Sequence, residues 1–250
     1  MVKNFTDSCF FIKYLSRNNM NSKEFVARLV EENQPLFKAS QINVKAYFDS
    51  KPAQEELVTH FIGRMVNERM NMVEISQAIA QLPANTDPVE LQLLTQQAHD
   101  EAVHFRLVKE VIEHITGAPV DVEAAICAEA AKPTAKGAGL LAKYDAETDP
   151  VALAVYQLTA EGRAEAVWNQ MAECIDDEFI SKSYAKIAKD EGFHSKIGAR
   201  KLEQLVTDAD IAAKVETLVS AMRKDLYEIS CKNTIPAADG KKLVAEAYGW

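Results

Sequence analysis

Hydrophobic and polar positions along the chain rarely alternate with a period of two, the pattern typical of half-buried strands. Proline and glycine fall in clusters instead. The long stretches between these clusters are rich in Ala, Leu, Glu, Lys, Gln and Met, which favour helices. The pattern therefore predicts an all-α protein.

Capping signals divide the chain into helices. The tripeptide Thr-Asp-Pro occurs at 86–88 and at 148–150, with Asp suited to the N-cap and Pro to the first helical position. Long helices are predicted at 51–82 (N-cap Ser50, ended by Pro83), 88–116 (ended by Gly117), 150–175 and 178–206. Further helices are predicted at 23–33 (N-cap Ser22, with Pro35 beyond its end), 36–48, 123–131 and 209–229 (N-cap Asp208).

The four long helices form two hairpins that a connection over 119–147 joins. Two hairpins joined by one long crossover are the topology of a ferritin-like four-helix bundle. We predict a single domain over 1–250. Its metal-binding bundle spans 51–206, and the segments 1–49 and 207–250 pack on it as extra helices.

Composition narrows the classes of function. The chain has 28 basic and 37 acidic residues, a net charge of −9, which argues against binding to nucleic acid or to an anionic membrane. No apolar run approaches the ~20 residues of a membrane helix, and no signal peptide is recognisable. The four cysteines, widely spaced, are predicted to be reduced and buried in a cytoplasmic protein. They are Cys9, Cys127, Cys174 and Cys231.

Candidate chemistry comes from a motif that occurs twice. Asp100-Glu101-x-x-His104 lies on the helix predicted at 88–116, and Asp190-Glu191-x-x-His194 lies on the helix predicted at 178–206. A Glu and a His three positions apart share one helix face, so both side chains can reach one metal ion. Each motif lies on the second helix of its hairpin.

A dinuclear site in a bundle also needs one carboxylate from each of the other two helices. Glu101 lies 13 residues after Pro88, and Glu68, 14 residues before Leu82, lies at a matching height in an antiparallel partner. By the same count of residues, Glu161 lies at the height of Glu191 in the second hairpin. Glu74 and Glu165 fit these heights less well. The predicted ligands are Glu68, Glu101, His104, Glu161, Glu191 and His194.

With these motifs, residues 51–206 resemble the ferritin-like dinuclear carboxylate proteins, which include ferritins, manganese catalases and bacterial di-iron monooxygenases. The resemblance implies bridging roles for Glu101 and Glu191 and terminal roles for Glu68 and Glu161. It implies two iron ions, with manganese as the alternative. It also places Asp190 beside His104 and Asp100 beside His194, where each carboxylate accepts the ring N–H that the metal does not use.

Other acidic and histidine residues have plainer interpretations. Glu165, one turn from Glu161, is an extra ligand, a carboxylate of the substrate pocket or half of an ion pair. His60, His99 and His114 lack the motif, so surface or core positions are expected for them.

The resemblance implies a non-haem di-iron oxygenase or oxidase that uses O₂ to oxidise a small organic substrate. The expected partners are that substrate and an external electron donor, a ferredoxin or reductase, because the chain has no flavin or NAD fingerprint. A homodimer is left open. Two alternatives also stay open: peroxide disproportionation like that of manganese catalase, and a non-catalytic metal-binding protein.

Overall fold

The computed structural model describes residues 21–131 and 139–232 of the chain. Within these ranges the regular structure is all helical, without strands, which confirms the predicted all-α class. The helices are α1 (Ser22–Asp49), α2 (Gln54–Ala80), α3 (Pro88–Thr116), α4 (Val122–Ala130), α5 (Leu140–Lys143), α6 (Pro150–Tyr156), a π-helical segment (Gln157–Glu161), α7 (Gly162–Cys174), α8 (Glu178–Leu205) and α9 (Ala209–Lys232).

Most predicted helix starts are confirmed by the caps that the structure shows. Asp87 Oδ1 accepts the Val89 N–H at 3.0 Å at the start of α3, and Asp149 Oδ1 does the same for Val151 at the start of α6. Gly117 ends α3 in the left-handed conformation, with φ 67°. These signals are predictable because a cap depends on its immediate neighbours in the sequence.

The prediction of two short helices at 23–33 and 36–48 is wrong, because α1 is continuous and contains Pro35. Buried residues continue along one face on both sides of the proline, so tertiary packing outweighs the loss of one backbone hydrogen bond. The predicted N-caps also move. Asn21 caps α1 in place of Ser22, and Ser50 ends α1 while α2 begins only at Gln54.

The helix predicted at 150–175 is one continuous rod that contains a π-helical segment. It comprises α6, the π segment over Gln157–Glu161, and α7. Residues 151–162 are all buried, because α1, α8 and α9 surround this rod. A π segment inserts an extra residue into a helical turn and is often found at functional sites. Nothing in the sequence pattern indicated it.

Four long helices surround a common interior. The α2–α3 hairpin is antiparallel, since Gln54 Nε2 donates to the Ile115 carbonyl at 3.4 Å near its open end. The α7–α8 hairpin is also antiparallel, with Ser181 Oγ donating to the Ala172 carbonyl at 2.8 Å. α3 packs against α8, which makes the two hairpins neighbours. α1 packs against α7 and α8, and α9 packs against α6 and α1.

The apolar interior is divided into two clusters. One includes Ile75, Leu94 and Leu202, together with most of α6 and the buried faces of α1 and α9. The other includes Met65 and Val108 and the buried residues of α7 and the first half of α8. Along each of the four long helices, the predicted metal ligands fall between residues of the first cluster and residues of the second. A polar layer therefore crosses the interior between two apolar ones.

The described cysteines are free thiols, but they are not buried as predicted. Cys127 is exposed and Cys174 is half-buried. On α4 only Ala125 is buried, so the side chain two residues later points away from the protein. Cys9 and the side chain of Cys231 fall outside the described residues, as do Pro133 and Gly137 of the crossover.

In the part of the chain that is described, no helix has the length and apolarity needed to cross a bilayer.

Candidate metal centre

The six predicted ligands meet in the interior layer. They come from four places: α2 carries Glu68, the π segment ends at Glu161, and α3 and α8 each supply a Glu and a His three positions apart. Each of the six residues is at most 2 % exposed. The spacing that predicted equal heights in each hairpin therefore matches the observed arrangement.

Ligand atoms of these side chains form two overlapping groups. The first contains Glu101, Glu161, Glu191 and His194, and the second contains Glu68, His104 and Glu191. Within each group, the atoms lie within 4.8 Å of one another. Each group is compact enough to hold one metal ion, and Glu191 belongs to both.

Glu101 and Glu191 each face both histidines. Glu101 places Oε1 at 3.5 Å from His194 Nδ1 and Oε2 at 3.8 Å from His104 Nδ1. Glu191 places Oε2 at 3.3 Å from His194 Nδ1 and Oε1 at 3.8 Å from His104 Nδ1. Each carboxylate thus has one oxygen near each imidazole. Glu68 Oε2 lies 3.5 Å from His104 Nδ1 and faces that side alone.

Several atoms of this cluster have no partner of their own. Glu68 Oε2, both carboxylate oxygens of Glu101 and Nδ1 of His104 are buried without a hydrogen bond in the described part of the protein. Buried polar atoms are rarely left in that state, because the lost hydration costs free energy. These orphaned atoms are good metal-ligand atoms, so the donor set fits a bound cation.

The Nε2 atom of each histidine, on the side of the ring away from the cluster, lies beside an aspartate of the opposite helix. His104 Nε2 lies 3.1 Å from Asp190 Oδ2, and His194 Nε2 lies 3.3 Å from Asp100 Oδ2. The predicted cross-helix contacts are therefore present. With Nε2 donating to a carboxylate, Nδ1 is left as the atom that faces the cluster. Lys186 pairs with Asp190, and Gln96 Nε2 donates to Asp100 at 2.8 Å.

Burial and mutual repulsion disfavour the ionised form of four neighbouring carboxylates in this layer. Burial, then the charges of Glu191 and Glu161, raise the pKa of Glu101 well above its usual range. Burial and the charge of Glu191 raise the pKa of Glu161 in the same way. For His104, burial lowers the pKa, but the bond to Asp190 and the carboxylates of Glu68 and Glu191 raise it to about 10. The metal-free cluster therefore retains protons that a cation would displace.

The alternative carboxylates lie outside both groups. Glu165 is half-buried, and its carboxylate lies against the α carbon of Gly192, where an added Cβ would be 2.5 Å from Oε1. Glu74 is also half-buried and belongs to neither group. A role for Glu165 in a substrate pocket stays a prediction, and the cavity described below does not include it among its lining residues.

The remaining histidines lie away from the cluster, in the positions expected for them. His99 is exposed on α3, and His114 Nε2 lies 2.9 Å from Asp177 at the surface. His60 packs between the rings of Tyr47 and Phe61.

Two glutamines extend the cluster in a way that the sequence analysis missed. Gln97 Nε2 donates to Glu161 Oε1 at 3.2 Å, and Gln157 Nε2 donates to Gln97 Oε1 at 2.7 Å. Both glutamines are essentially unexposed. A signal was available: each lies four residues before a predicted ligand, Gln97 before Glu101 and Gln157 before Glu161, hence on the same helix face.

Comparison of the chain with protein-family models, with curated proteins and with solved structures gave no match. The buried cluster of glutamates and histidines is thus the observation from which a function is argued.

Proposed function

We propose that the chain is a non-haem di-iron oxidase or oxygenase built on a ferritin-like four-helix bundle. The observation that carries this proposal is the placement of Glu101 and Glu191, each with one carboxylate oxygen beside each histidine Nδ1. Two carboxylates that reach both imidazoles support two neighbouring ions better than one central ion.

The charge balance of the layer supports the same number of ions. Four buried glutamates carry four negative charges when ionised, and two divalent cations with neutral histidines cancel them. An uncompensated buried charge is very costly, so a pocket of this kind favours a full complement of metal. Carboxylate oxygen combined with imidazole nitrogen suits iron or manganese. We favour iron.

When bound, a pair of ferrous ions supplies the redox chemistry that activates O₂ for oxidation of a C–H or N–H bond. Oxygenation of a substrate RH consumes O₂, two electrons and two protons and yields ROH and water. The two electrons come from an external donor, for which a ferredoxin or reductase is proposed. The protein's own residues hold the ions, and the flanking apolar clusters exclude bulk water.

Metal content is the first test. After reconstitution with ferrous iron without air, we expect about two ions per chain by elemental analysis. His104→Ala should lower the content, whereas His99→Ala, the same change at an exposed histidine of α3, should not. Less than one ion per chain in the unaltered protein contradicts the site.

The reaction class is tested with the loaded protein. Oxygen uptake that depends on added reductant supports the oxidase or oxygenase. Oxygen evolution from peroxide by the manganese-loaded protein identifies the catalase-like alternative instead. Metal binding without either reaction indicates a non-catalytic protein.

A further inference from the structure

A cavity of about 390 Å³ opens at the end of the bundle where α2 turns into α3, α6 begins and α8 ends. Its volume lies within the range of small-molecule sites, about 300–1,000 Å³. Apolar side chains form much of its wall, among them Ala78, Leu94, Leu153 and Ile197, all of them buried. The wall also contains one fully buried polar residue, Gln157.

Gln157 connects the cavity to the candidate metal centre. Its amide nitrogen donates to Gln97, and the amide nitrogen of Gln97 donates to Glu161. When a bound cation keeps Glu161 ionised, its carboxylate only accepts hydrogen bonds, and this fixes the direction of both amides. The carbonyl oxygen of Gln157 is left without a hydrogen bond among the described residues. Gln157 lines the cavity, and a side-chain carbonyl oxygen at such a wall is an acceptor that suits a ligand O–H or N–H.

The charges at the cavity nearly cancel. Lys201 pairs with Glu90 at 2.5 Å, and the lining also includes Arg200, Asp87 and Glu147, so two basic side chains stand against three acidic ones. A mouth whose charges nearly balance, above an apolar wall, disfavours a charged guest, since burying an unpaired charge is costly.

We propose that this cavity binds a small, uncharged, mainly apolar organic molecule whose hydroxyl or N–H group donates to the Gln157 carbonyl. That this molecule is the substrate, or shares its chemistry, rests on the proposed function. Gln157 and Gln97 are then positioning residues that connect the bound molecule to Glu161.

A series of benzyl compounds tests the cavity in the full-length protein loaded with ferrous iron without air. Equilibrium dialysis should show one benzyl alcohol bound per chain. Benzoate and benzylammonium should bind at least about 10-fold more weakly because each carries a charge. Benzoate or benzylammonium binding as tightly as the alcohol overturns the neutral-ligand assignment.

Two substitutions test whether benzyl alcohol binds in this cavity. Ala78→Leu fills the cavity and should weaken binding of benzyl alcohol about 10-fold or more. Ala80→Leu, an exposed position two residues later on α2, is the matched control and should leave it unchanged. Equal effects of the two changes overturn the assigned site.

The polar contact is tested separately. Gln157→Leu should lower the affinity for benzyl alcohol about 3- to 10-fold, the loss of one hydrogen bond. Toluene, which has no donor, should bind this variant as well as it binds the unaltered protein. Gln204→Leu at the exposed mouth is the control. An equal loss for both compounds overturns the hydrogen bond to Gln157.

Metal content measured on the same samples separates the two proposals. Two ions per chain without bound benzyl alcohol overturns the cavity and leaves the proposed function standing. Bound benzyl alcohol without metal supports the cavity but overturns the di-iron function, and with it the role of substrate.

Discussion

The candidate metal centre depends on the spacing of individual residues along their helices. A Glu and a His three positions apart on α3, and again on α8, lie on one face of their helix. The aspartate before each Glu points sideways, about 100° around the helix, toward the opposite histidine. The distances of 3.1 and 3.3 Å between aspartate and histidine are the result.

Asp190→Asn should weaken iron binding about 10–100-fold, because a carboxylate behind a ligating imidazole fixes its tautomer and raises its basicity. An asparagine oxygen still accepts the His104 N–H, so the fold should persist. The measurement is a competition with a chelator of known affinity for ferrous iron, with circular dichroism to follow the fold. Asp176→Asn, at an exposed position, is the control. Unchanged affinity in Asp190→Asn contradicts the role given to the aspartates.

Residue spacing predicted which six side chains meet, because each pair shares a helix face or a height in a hairpin. Their role as metal ligands stays a prediction. Spacing places each glutamine on the helix face of a predicted ligand, but it does not show that they join into the Gln157–Gln97–Glu161 chain, which depends on the π segment and on contacts between distant helices. Long-range contacts of that kind leave no local pattern in one sequence.

At the scale of elements, the rod formed by α6, the π segment and α7 depends on close approach by α8. A Cβ at Gly198 would lie 2.6 Å from the backbone oxygen of Ala154 and equally near the backbone nitrogen of Leu158. A Cβ at Gly192 would instead meet the carboxylate end of Glu165, which can rotate away. Two glycines of one helix therefore have different reasons to lack a side chain.

Gly198→Ala should lower the free energy of unfolding by about 1–3 kcal/mol, since backbone atoms cannot yield as a side chain can. Gly192→Ala should be neutral or stabilising by up to about 1 kcal/mol, the difference in helix propensity. Urea unfolding of the metal-free variants gives both values. Equal losses in the two variants contradict the close backbone contact at Gly198.

Helix ends were predictable where the signal is local, as at Asp87, Gly117 and Asp149. They were not predictable where packing decides. Pro35 is a strong local signal for a helix end, yet α1 continues through it because its buried face is continuous with α8 and α9. The π segment lies within 151–162, where every residue is buried, and it has no local signal in the sequence.

Taken as a whole, the molecule places a layer of charge between two apolar clusters. The carboxylates of this layer favour the protonated form without metal and the ionised form when a cation is bound. Without a cation, the raised pKa values of Glu101, Glu161 and Glu191 mean that the folded state holds protons that the unfolded state has released. The pKa of His104 rises from its ordinary value of 6.5 to about 10, so His104 also keeps a proton in the folded state that it loses in the unfolded state.

The metal-free protein should therefore lose stability as the pH rises from 7 to 9. In this range His104 stays protonated in the folded state, with a pKa of about 10, and is neutral in the unfolded state, so the free energy of unfolding falls by roughly 1 kcal/mol per pH unit for this group. The raised pKa values of the buried glutamates act in the same direction. His60, whose pKa falls to about 3, has the opposite effect, but only below about pH 6.5. Between pH 7 and 9, His60 therefore does not change the pH dependence of the free energy of unfolding.

Thermal unfolding of the metal-free protein at pH 7, 8 and 9 measures this slope. Ferrous or manganous ions should flatten or reverse it, because they displace the same protons and bind more tightly as the pH rises. His104→Gln should reduce the slope of the metal-free protein, whereas His99→Gln, at an exposed position of the same helix, should preserve it. A metal-free protein whose stability is constant or rises between pH 7 and 9 would show that the buried carboxylates and His104 are not held protonated.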